Sequence, residues 1–233
     1  MSAQDDPEVV RREYADDRGL AGRQSIWSRR TGLQPLDAAF EAIVALAPSR
    51  VLEVGCGRGE FAERLAASGF DVVAADQSEH MVELTRARGV DARVADVQSL
   101  PFAGDQFDVA VANFMLYHVA DLDRALAELA RVAPRLVAAT NGARQLWEMW
   151  ELVGRDLSER ERLFFRENGE ASLRRHYGEV QLIDASGTIE LSADDMRRYI
   201  SHSVAHKHLA AAVPDFEGAR PVTASSVVFV AVR

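Results

Sequence analysis

Short apolar runs alternate with amphipathic segments from residue 51 onward. The runs predict strands at 51–54, 71–75, 90–94, 107–112 and 135–139. Helices are predicted between them, including one at Glu60–Ala67, one capped by Ser78 and one capped by Asp121 or Asp123. Because strand–helix alternation at this spacing is typical of crossover units, we expect an α/β fold with a doubly wound, mainly parallel sheet.

The two ends of the chain follow other patterns. Residues 5–30 are polar and predict one or two helices, and apolar positions from Leu36 onward follow a helical spacing that ends at Pro48. After residue 140, helices are predicted at 145–153, 160–165, 171–177 and 194–209, and strands at 180–183 and 188–191. The last strand, Ser226–Val232, is apolar without alternation, so we expect it to be buried on both faces inside the sheet.

A length of 233 residues with 48% apolar residues suits one α/β domain with a lid better than two full domains. We expect residues 1–48 to form an N-terminal helical cap and residues 49–233 to form the core. Lid insertions are expected at about 143–178 and 192–221.

Charge and cysteine content narrow the possible partners and compartment. The formal charge of −9 disfavours nucleic acid, because non-specific binding of that polyanion depends on many Lys and Arg contacts. Cys56 is the only cysteine, which excludes an internal disulfide and fits a reducing compartment. The first residues lack a signal pattern, and the apolar runs are too short to span a bilayer. We expect a cytoplasmic protein with no membrane partner; the sequence leaves its oligomeric state open.

A glycine-rich turn follows the first predicted strand, in the run Gly55-Cys56-Gly57-Arg58-Gly59. Glycines there let the backbone approach a ligand, and free N–H groups at a helix start favour anionic groups. Asp76 lies 21 residues after Gly55, at the end of the second strand, where a carboxylate can accept hydrogen bonds from ribose hydroxyls. A dinucleotide fingerprint would place glycine at position 60, which is Glu60 here, so a nicotinamide oxidoreductase is disfavoured.

These motifs resemble those of the class I S-adenosylmethionine-dependent methyltransferases of the small-molecule type. The resemblance rests on VLEVGCGRGEFA, VVAADQSEHMVELTRARG and ARVADVQSLPFAGDQFDVAVANFMLYHV. It covers residues 51–140 well, and the final strand fits the antiparallel strand of that family's Rossmann-like, seven-stranded sheet. It implies S-adenosyl-L-methionine as cofactor, S-adenosyl-L-homocysteine as product, and transfer of a methyl group to an O or N atom of a metabolite.

The resemblance also implies roles for individual residues. The glycines would face the methionine part above Glu53, Asp76 would bind the ribose, and Asp96 would bind the adenine amine beside the Val97 N–H. The implied cofactor-binding residues are Tyr14, Glu53, Gly55, Cys56, Gly57, Gly59, Asp76, Gln77, Met81, Asp96, Val97, Asn113 and Phe114.

The acceptor side is less defined. The candidate substrate residues are Trp27, Tyr117, His118, Trp147, Tyr199 and His202. His118 is a candidate general base for a hydroxyl acceptor, but a scaffold role is the alternative. His202 and His206 lie one helical turn apart, while His208 would point to another face, so no metal site is predicted.

Other functions remain open at this level. A protein or RNA acceptor is one alternative, although the negative charge disfavours RNA. A protein that binds S-adenosylmethionine without transferring its methyl group is another. The motifs indicate the donor of the methyl group and leave the acceptor undefined.

Overall fold

A seven-stranded sheet forms the centre of the computed structural model, which describes residues 6, 8, 9, 12, 26–158 and 163–233. The described strands, of which β7 and β8 form a separate sheet, are β1 (Arg50–Val54), β2 (Asp71–Asp76), β3 (Asp91–Val94), β4 (Val109–Asn113), β5 (Arg135–Asn141), β6 (Glu179–Asp184), β7 (Gly187–Ser192), β8 (Ala219–Ala224) and β9 (Ser226–Val232). The sheet order is β3-β2-β1-β4-β5-β9-β6. Strands β1 to β5 are parallel, and β9 runs antiparallel to both of its neighbours. The predicted fold class is confirmed.

The position of β9 follows from its composition. It lies between β5 and β6, and most of its side chains are buried. A strand with neighbours on both sides and helices on both faces has no solvent face that would require polar positions. The prediction of an interior C-terminal strand is therefore confirmed.

The helices pack on both faces of the sheet and above one of its edges. They are α1 (Pro35–Leu46), α2 (Glu60–Ala67), α3 (Glu79–Ala87), α4 (Leu122–Val132), α5 (Trp147–Leu152), α6 (Arg166–Leu173) and α7 (Ala193–Ser201), with 3-10 helices at Trp27–Arg29, Leu116–His118 and Lys207–Ala212. Ser78 caps α3, because its hydroxyl accepts the Met81 N–H, and Asp121 rather than Asp123 caps α4 by accepting the Arg124 N–H at 3.0 Å.

Two apolar layers enclose the sheet. On one face Leu52 of β1 packs in a cluster with Leu126 of α4 and Phe229 of β9. On the other face Val51 packs in a cluster with Ile43 of α1. Consecutive residues of β1 are thus buried on opposite faces, which explains the continuous apolar run in its sequence. Helix α1 contacts β5 and β9, so it is one of the helices that cover the second face of the sheet. The division into residues 1–48 and 49–233 stays a prediction.

A third apolar cluster lies beside the sheet and joins α5 and α7 to a separate two-stranded sheet of β7 and β8. Strand β8 was not predicted, because its apolar content is low and Pro221 interrupts it. The helix predicted at 194–209 was wrong in length. Helix α7 ends at Ser201, and a turn separates it from the 3-10 helix Lys207–Ala212.

The helix predicted at 171–177 was also misplaced, and the described residues of the helix predicted at 160–165 are not helical. Residues 159–162 lie outside the described part of the chain, and Phe165 is extended, with φ −126° and ψ 175°. The Asn168 side chain accepts the Phe165 N–H at 2.9 Å, which caps a helix that starts at Arg166 and ends at Leu173. Within the described residues, no helix has the length and apolar content needed to cross a membrane.

Candidate functional site

A cavity of about 570 Å³ lies at the carboxyl ends of the central parallel strands. This edge is where doubly wound sheets bind ligands, since the loops on either side of the change in strand order diverge there. Fourteen of the predicted site residues line it: Trp27, Glu53, Gly55, Cys56, Gly57, Asp76, Gln77, Asp96, Val97, Asn113, Phe114, Tyr117, His118 and Tyr199.

The glycine turn forms one wall of this cavity. Gly55 and Gly57 have φ angles of 70° and 53°, a region that L-residues with side chains rarely adopt. A Cβ atom on Gly55 would lie 2.7 Å from Cγ of Met115. The backbone N–H groups of Gly55 and Cys56 both donate to the carbonyl oxygen of Ala75, at 2.8 and 3.2 Å, which fixes the turn on β2. The turn is therefore rigid and its backbone is open to the cavity.

Helix α3 supports the same turn from behind. The Thr85 hydroxyl donates to the Gly57 carbonyl oxygen at 3.2 Å, and Nε of Arg88 donates to the Arg58 carbonyl oxygen at 2.7 Å. Gly59 lies against Thr85 and does not line the cavity. The third glycine of the motif is thus explained by packing between α2 and α3, a different role from that implied by the resemblance.

Two carboxyl groups lie side by side at the base of the cavity. Asp76 accepts the Gly57 N–H at 3.0 Å with one oxygen and the Ser78 N–H at 2.9 Å with the other. Burial raises the pKa of Asp76, and these hydrogen bonds oppose the rise. Burial, and secondarily the charge of Asp76, raises the pKa of Glu53 to about 8. Glu53 is 2% exposed, so a cationic ligand group nearby would favour its ionised form.

Asp96 and Val97 follow β3 at the far end of the cavity. Asp96 is exposed and accepts the Gln98 N–H at 2.8 Å, which forms a tight turn. Val97 is buried beneath it. The exposed carboxylate and the adjoining backbone are available to a planar polar group such as a nucleobase edge.

The end of β4 presents an amide and a strained aromatic residue. The buried Asn113 side chain donates to the Glu53 carboxylate, and among the described residues its Oδ1 has no partner. Phe114 has a φ of 55°, which costs on the order of 1–3 kcal/mol for a residue with a side chain. Buried polar atoms without partners and local strain are both typical of a ligand site.

Aromatic residues form the opposite wall. The rings of Tyr117 and Phe165 stack at 5.6 Å, and His118 meets Tyr117 edge-on at 4.5 Å. The rings of Trp27 and Tyr199 pack edge to face at 6.4 Å. This wall extends from the 3-10 helix after β4 to the third apolar cluster, to which Trp27 and Tyr199 belong. It offers flat apolar surfaces to a second ligand.

Several predicted residues lie elsewhere. Met81 is fully buried in α3, and Trp147 packs under the Arg144 guanidinium at 4.4 Å. His202 is the C-cap residue that follows α7. None of Met81, Trp147 and His202 lines the cavity. Tyr14 lies outside the described residues. Burial raises the pKa of the Cys56 thiol to about 12, which disfavours a nucleophilic thiolate.

The sequence reasoning missed a polar group of cavity residues. These are Arg30, Gln34, Asn141, Gln145 and Ser226. Arg30 precedes α1, whereas Asn141 and Ser226 are paired across β5 and β9. Polar residues at the ends of β5 and β9 were a visible signal, but the position of Arg30 depends on tertiary packing. In the part of the chain that is described, no group of three His, Cys, Asp or Glu side chains is arranged to hold a metal ion.

Comparison with known proteins agrees with this geometry. Residues 52–135 match a family described as a methyltransferase domain. A demethylmenaquinone methyltransferase of Clavibacter sepedonicus is 42% identical over 100 residues, which is 41% of this chain and 41% of that protein. The chain therefore aligns with less than half the length of this curated relative.

Solved structures extend the similarity to the whole fold. A possible histamine N-methyltransferase of Thermotoga maritima, described as S-adenosylmethionine-dependent, superposes with a TM-score of 0.60 at 20% identity and covers 97% of this chain and 98% of that one. A Haemonchus contortus phosphoethanolamine N-methyltransferase, solved with S-adenosylhomocysteine, gives a TM-score of 0.62 at 15% identity over 100% of this chain and 60% of that one. At these identities the likeness concerns the fold.

Proposed function

We propose that this chain, which belongs to the class I S-adenosylmethionine-dependent methyltransferases, transfers a methyl group from S-adenosylmethionine to an oxygen or nitrogen atom of a small-molecule metabolite. One observation carries the proposal. A single cavity joins the glycine turn and its carboxylates to an aromatic wall, which gives room for a cofactor and an acceptor side by side.

The cofactor half fits S-adenosylmethionine by the chemistry of its donors and acceptors. Gly55 and Gly57 line the cavity without side chains, so a ligand can approach their backbone closely, and the buried Glu53 suits the positive charges of the methionine portion. Asp76 suits the ribose hydroxyls, and Asp96 suits the adenine amine. The buried Oδ1 of Asn113 would gain the partner that it lacks among the described residues.

The cofactor supplies an electrophilic methyl group on a sulfonium, so the protein mainly has to orient the acceptor and exclude water. Orientation of this kind contributes roughly 7–11 kcal/mol to lowering a barrier. Phe114, Tyr117, Trp27 and Tyr199 offer the surfaces that would align a planar acceptor. An amine acceptor needs no more than the loss of its proton.

A hydroxyl acceptor would benefit from a base, and His118 is our candidate. It lies on the 3-10 helix after β4 and lines the cavity. If His118 removes the proton, His118→Ala should lower kcat for a hydroxyl acceptor and flatten the acidic limb of the pH profile. An unchanged profile with that acceptor would leave His118 a scaffold role.

A small acceptor also agrees with the acidic composition, which disfavours RNA. The similarity to a demethylmenaquinone methyltransferase and to a possible histamine N-methyltransferase suggests quinol-type and amine acceptors as the first to test. We further propose a cytoplasmic location, with which the single cysteine is compatible.

The experiment measures binding and turnover separately. Calorimetry with S-adenosylmethionine and S-adenosylhomocysteine tests the cofactor site. Incubation with methyl-labelled S-adenosylmethionine and a panel of quinols, phenols and amines tests transfer, with Asp76→Ala at a subsaturating cofactor concentration as the control with weakened cofactor binding. Saturable cofactor binding and a labelled product support the proposal. Cofactor binding without product from any acceptor, metabolite extract, protein or RNA would indicate a non-catalytic binding protein instead.

A further inference from the structure

Arg30 is a buried arginine in the cavity wall. It is 8% exposed, and its Nη2 donates to the carbonyl oxygens of Ala185 and Ala224, the latter at 3.2 Å. These carbonyls belong to the turn after β6 and to the end of β8. One nitrogen of the guanidinium therefore ties Arg30 to the backbone and holds the side chain in one position.

No described residue holds the rest of the guanidinium in this way. Among the described residues, the buried Nε has no hydrogen-bond partner, and no carboxylate forms an ion pair with the group. The charge of Asp184 acts on Arg30, but Asp184 is itself held by both terminal nitrogens of Arg166, at 2.6 and 3.1 Å. Burial lowers the pKa of Arg30, yet an arginine stays charged at neutral pH. A buried cation without a counter-ion is costly and is stabilised by an anion.

The surroundings of Arg30 are polar on the cavity side. Ser226 accepts the Ala185 N–H with its carbonyl oxygen at 3.1 Å, so it lies beside the turn that Arg30 holds. The Ser226 hydroxyl lies 3.4 Å from Oδ1 of Asn141, and both residues line the cavity together with Gln145. Hydroxyl and amide groups next to a guanidinium form a set of donors that suits carboxylate oxygens.

This polar group is separate from the cofactor half. The cavity carboxyl groups of Glu53, Asp76 and Asp96 come from the ends of β1 and β2 and from the residue group after β3. Arg30, Asn141 and Ser226 come from the segment before α1 and from β5 and β9, on the other side of β4. Arg30 and the carboxyl groups thus lie on opposite sides of β4, whereas Arg58, the other arginine among the described cavity residues, belongs to the glycine turn.

We propose that Arg30 binds a carboxylate of the methyl acceptor, so that the substrate class is a small, planar carboxylic acid. This inference rests on the proposed function, because it assigns the half of the cavity that the cofactor does not use. The carboxylate takes Nε and Nη1 of Arg30, and the aromatic wall holds the ring. The acceptor atom then lies between the carboxylate and the end of β4.

The test uses two probes of equal shape, benzoate and benzamide, which differ in charge. Their binding is measured by calorimetry on the full chain, with and without S-adenosylhomocysteine. We expect the unmodified protein to bind benzoate at least tenfold more tightly than benzamide. Equal affinities, or no binding of either probe, would overturn the proposal, and this comparison needs no variant.

Variants then locate the site. Arg30→Gln should abolish the preference for benzoate while leaving the affinity for S-adenosylhomocysteine within twofold. Arg29→Gln is the matched control, because Arg29 is the neighbouring arginine, pairs with Asp195 at 3.0 Å and does not line the cavity. It should keep the preference. Circular dichroism checks that both variants fold.

Two results would contradict the assignment to Arg30. Retention of the benzoate preference in folded Arg30→Gln is one. The other is weaker binding of S-adenosylhomocysteine with unchanged binding of benzoate, which would assign Arg30 to the cofactor carboxylate. A protein that binds benzoate selectively but no cofactor would refute the proposed function and leave the anion site in place.

Discussion

A Cβ atom added to Gly59 would lie 2.6 Å from the hydroxyl oxygen of Thr85 and 2.9 Å from its Cα. Thr85 is fully buried, and Gly59 has a φ of 76°. The third glycine of the turn is therefore required twice, by its backbone conformation and by the close approach of α2 to α3. The same Thr85 hydroxyl donates to the Gly57 carbonyl oxygen, so this contact couples helix packing to the cavity wall.

Gly59→Ala should destabilise the protein by about 2–4 kcal/mol, because overpacking adds to the strain of a positive φ. Gly69→Ala is the matched control. Gly69 has a φ of 93°, but an added Cβ would meet no atom within 4 Å. In the Gly69 variant only backbone strain should lower the free energy of unfolding, by about 1 kcal/mol. Urea unfolding measures both values.

A second change identifies the contact. Thr85→Ala removes two of the three atoms that a Cβ at position 59 would meet and leaves Cα in place. In the Gly59→Ala background it should recover part of the lost stability. If Gly59→Ala costs no more than Gly69→Ala, the packing explanation is wrong.

Asp76 gives the second prediction. Asp76→Ala should weaken S-adenosylhomocysteine binding tenfold or more, equivalent to about 1.4 kcal/mol, because the ribose hydroxyls lose their acceptor. Asp71→Ala is the control, since Asp71 is an exposed residue at the opposite end of β2 that pairs with Arg50 at 3.2 Å. Calorimetry with an analogue lacking the ribose hydroxyls completes the cycle. Equal losses for the analogue and the full cofactor would contradict the ribose assignment.

Glu53 gives a pH dependence. Because its folded pKa is about 8, the Glu53 carboxyl group is mostly protonated at pH 6 in the free protein. A cationic cofactor favours the ionised form of this group. Affinity for S-adenosylmethionine should therefore rise between pH 6 and pH 8, by up to about tenfold per pH unit, with release of a proton on binding. Calorimetry in buffers of different ionisation enthalpy measures that proton.

The same group affects the stability of the free protein. The pKa of Glu53 is raised from 4.5 in the ordinary carboxyl to about 8 in the fold, so the folded state holds the proton more tightly. The free energy of unfolding should fall as pH rises from about 5 to about 8 and level off above that. Burial also raises the pKa of Asp76, which therefore acts with the same sign.

Glu53→Gln separates Glu53 from other titrating groups. The glutamine side chain of this variant cannot ionise. Cofactor affinity and the free energy of unfolding should therefore change less with pH, and fewer protons should be released on cofactor binding. Unchanged pH slopes in this variant would show that another group is responsible.

The central fold could be predicted because the information is local. Strands β1, β2, β4 and β5 are short apolar runs, such as Val51 and Leu52, whose side chains are buried on both faces. Glycines or caps such as Ser78 mark the helices between the strands. Asp76 and Asp96 were predictable as site residues because strand ends define the ligand edge of such a sheet.

Strand β8 and the burial of Arg30 could not be predicted in the same way. Strand β8 is stabilised by pairing with β7 and by the third apolar cluster. Ile189 and its partner in β8 are more than thirty positions apart in the sequence. Arg30 is buried only because the turn after β6 and the end of β8 supply its carbonyl partners. Such positions follow from tertiary contacts, and no local pattern encodes them.

Tyr177 gives the last prediction. It is 2% exposed within the apolar cluster of β4, α4 and β9, and its hydroxyl has no hydrogen-bond partner among the described residues. Burial raises the pKa of this phenol, which reflects the same desolvation. Since an unpaired buried hydroxyl costs about 1–3 kcal/mol, Tyr177→Phe should stabilise the protein, by about 1 kcal/mol after relaxation. Urea unfolding with Tyr117→Phe as a half-buried comparison, expected within about 0.5 kcal/mol of the parent, checks this. A loss of 1 kcal/mol or more in Tyr177→Phe would mean that the hydroxyl has a partner, such as a buried water, and would reverse the argument.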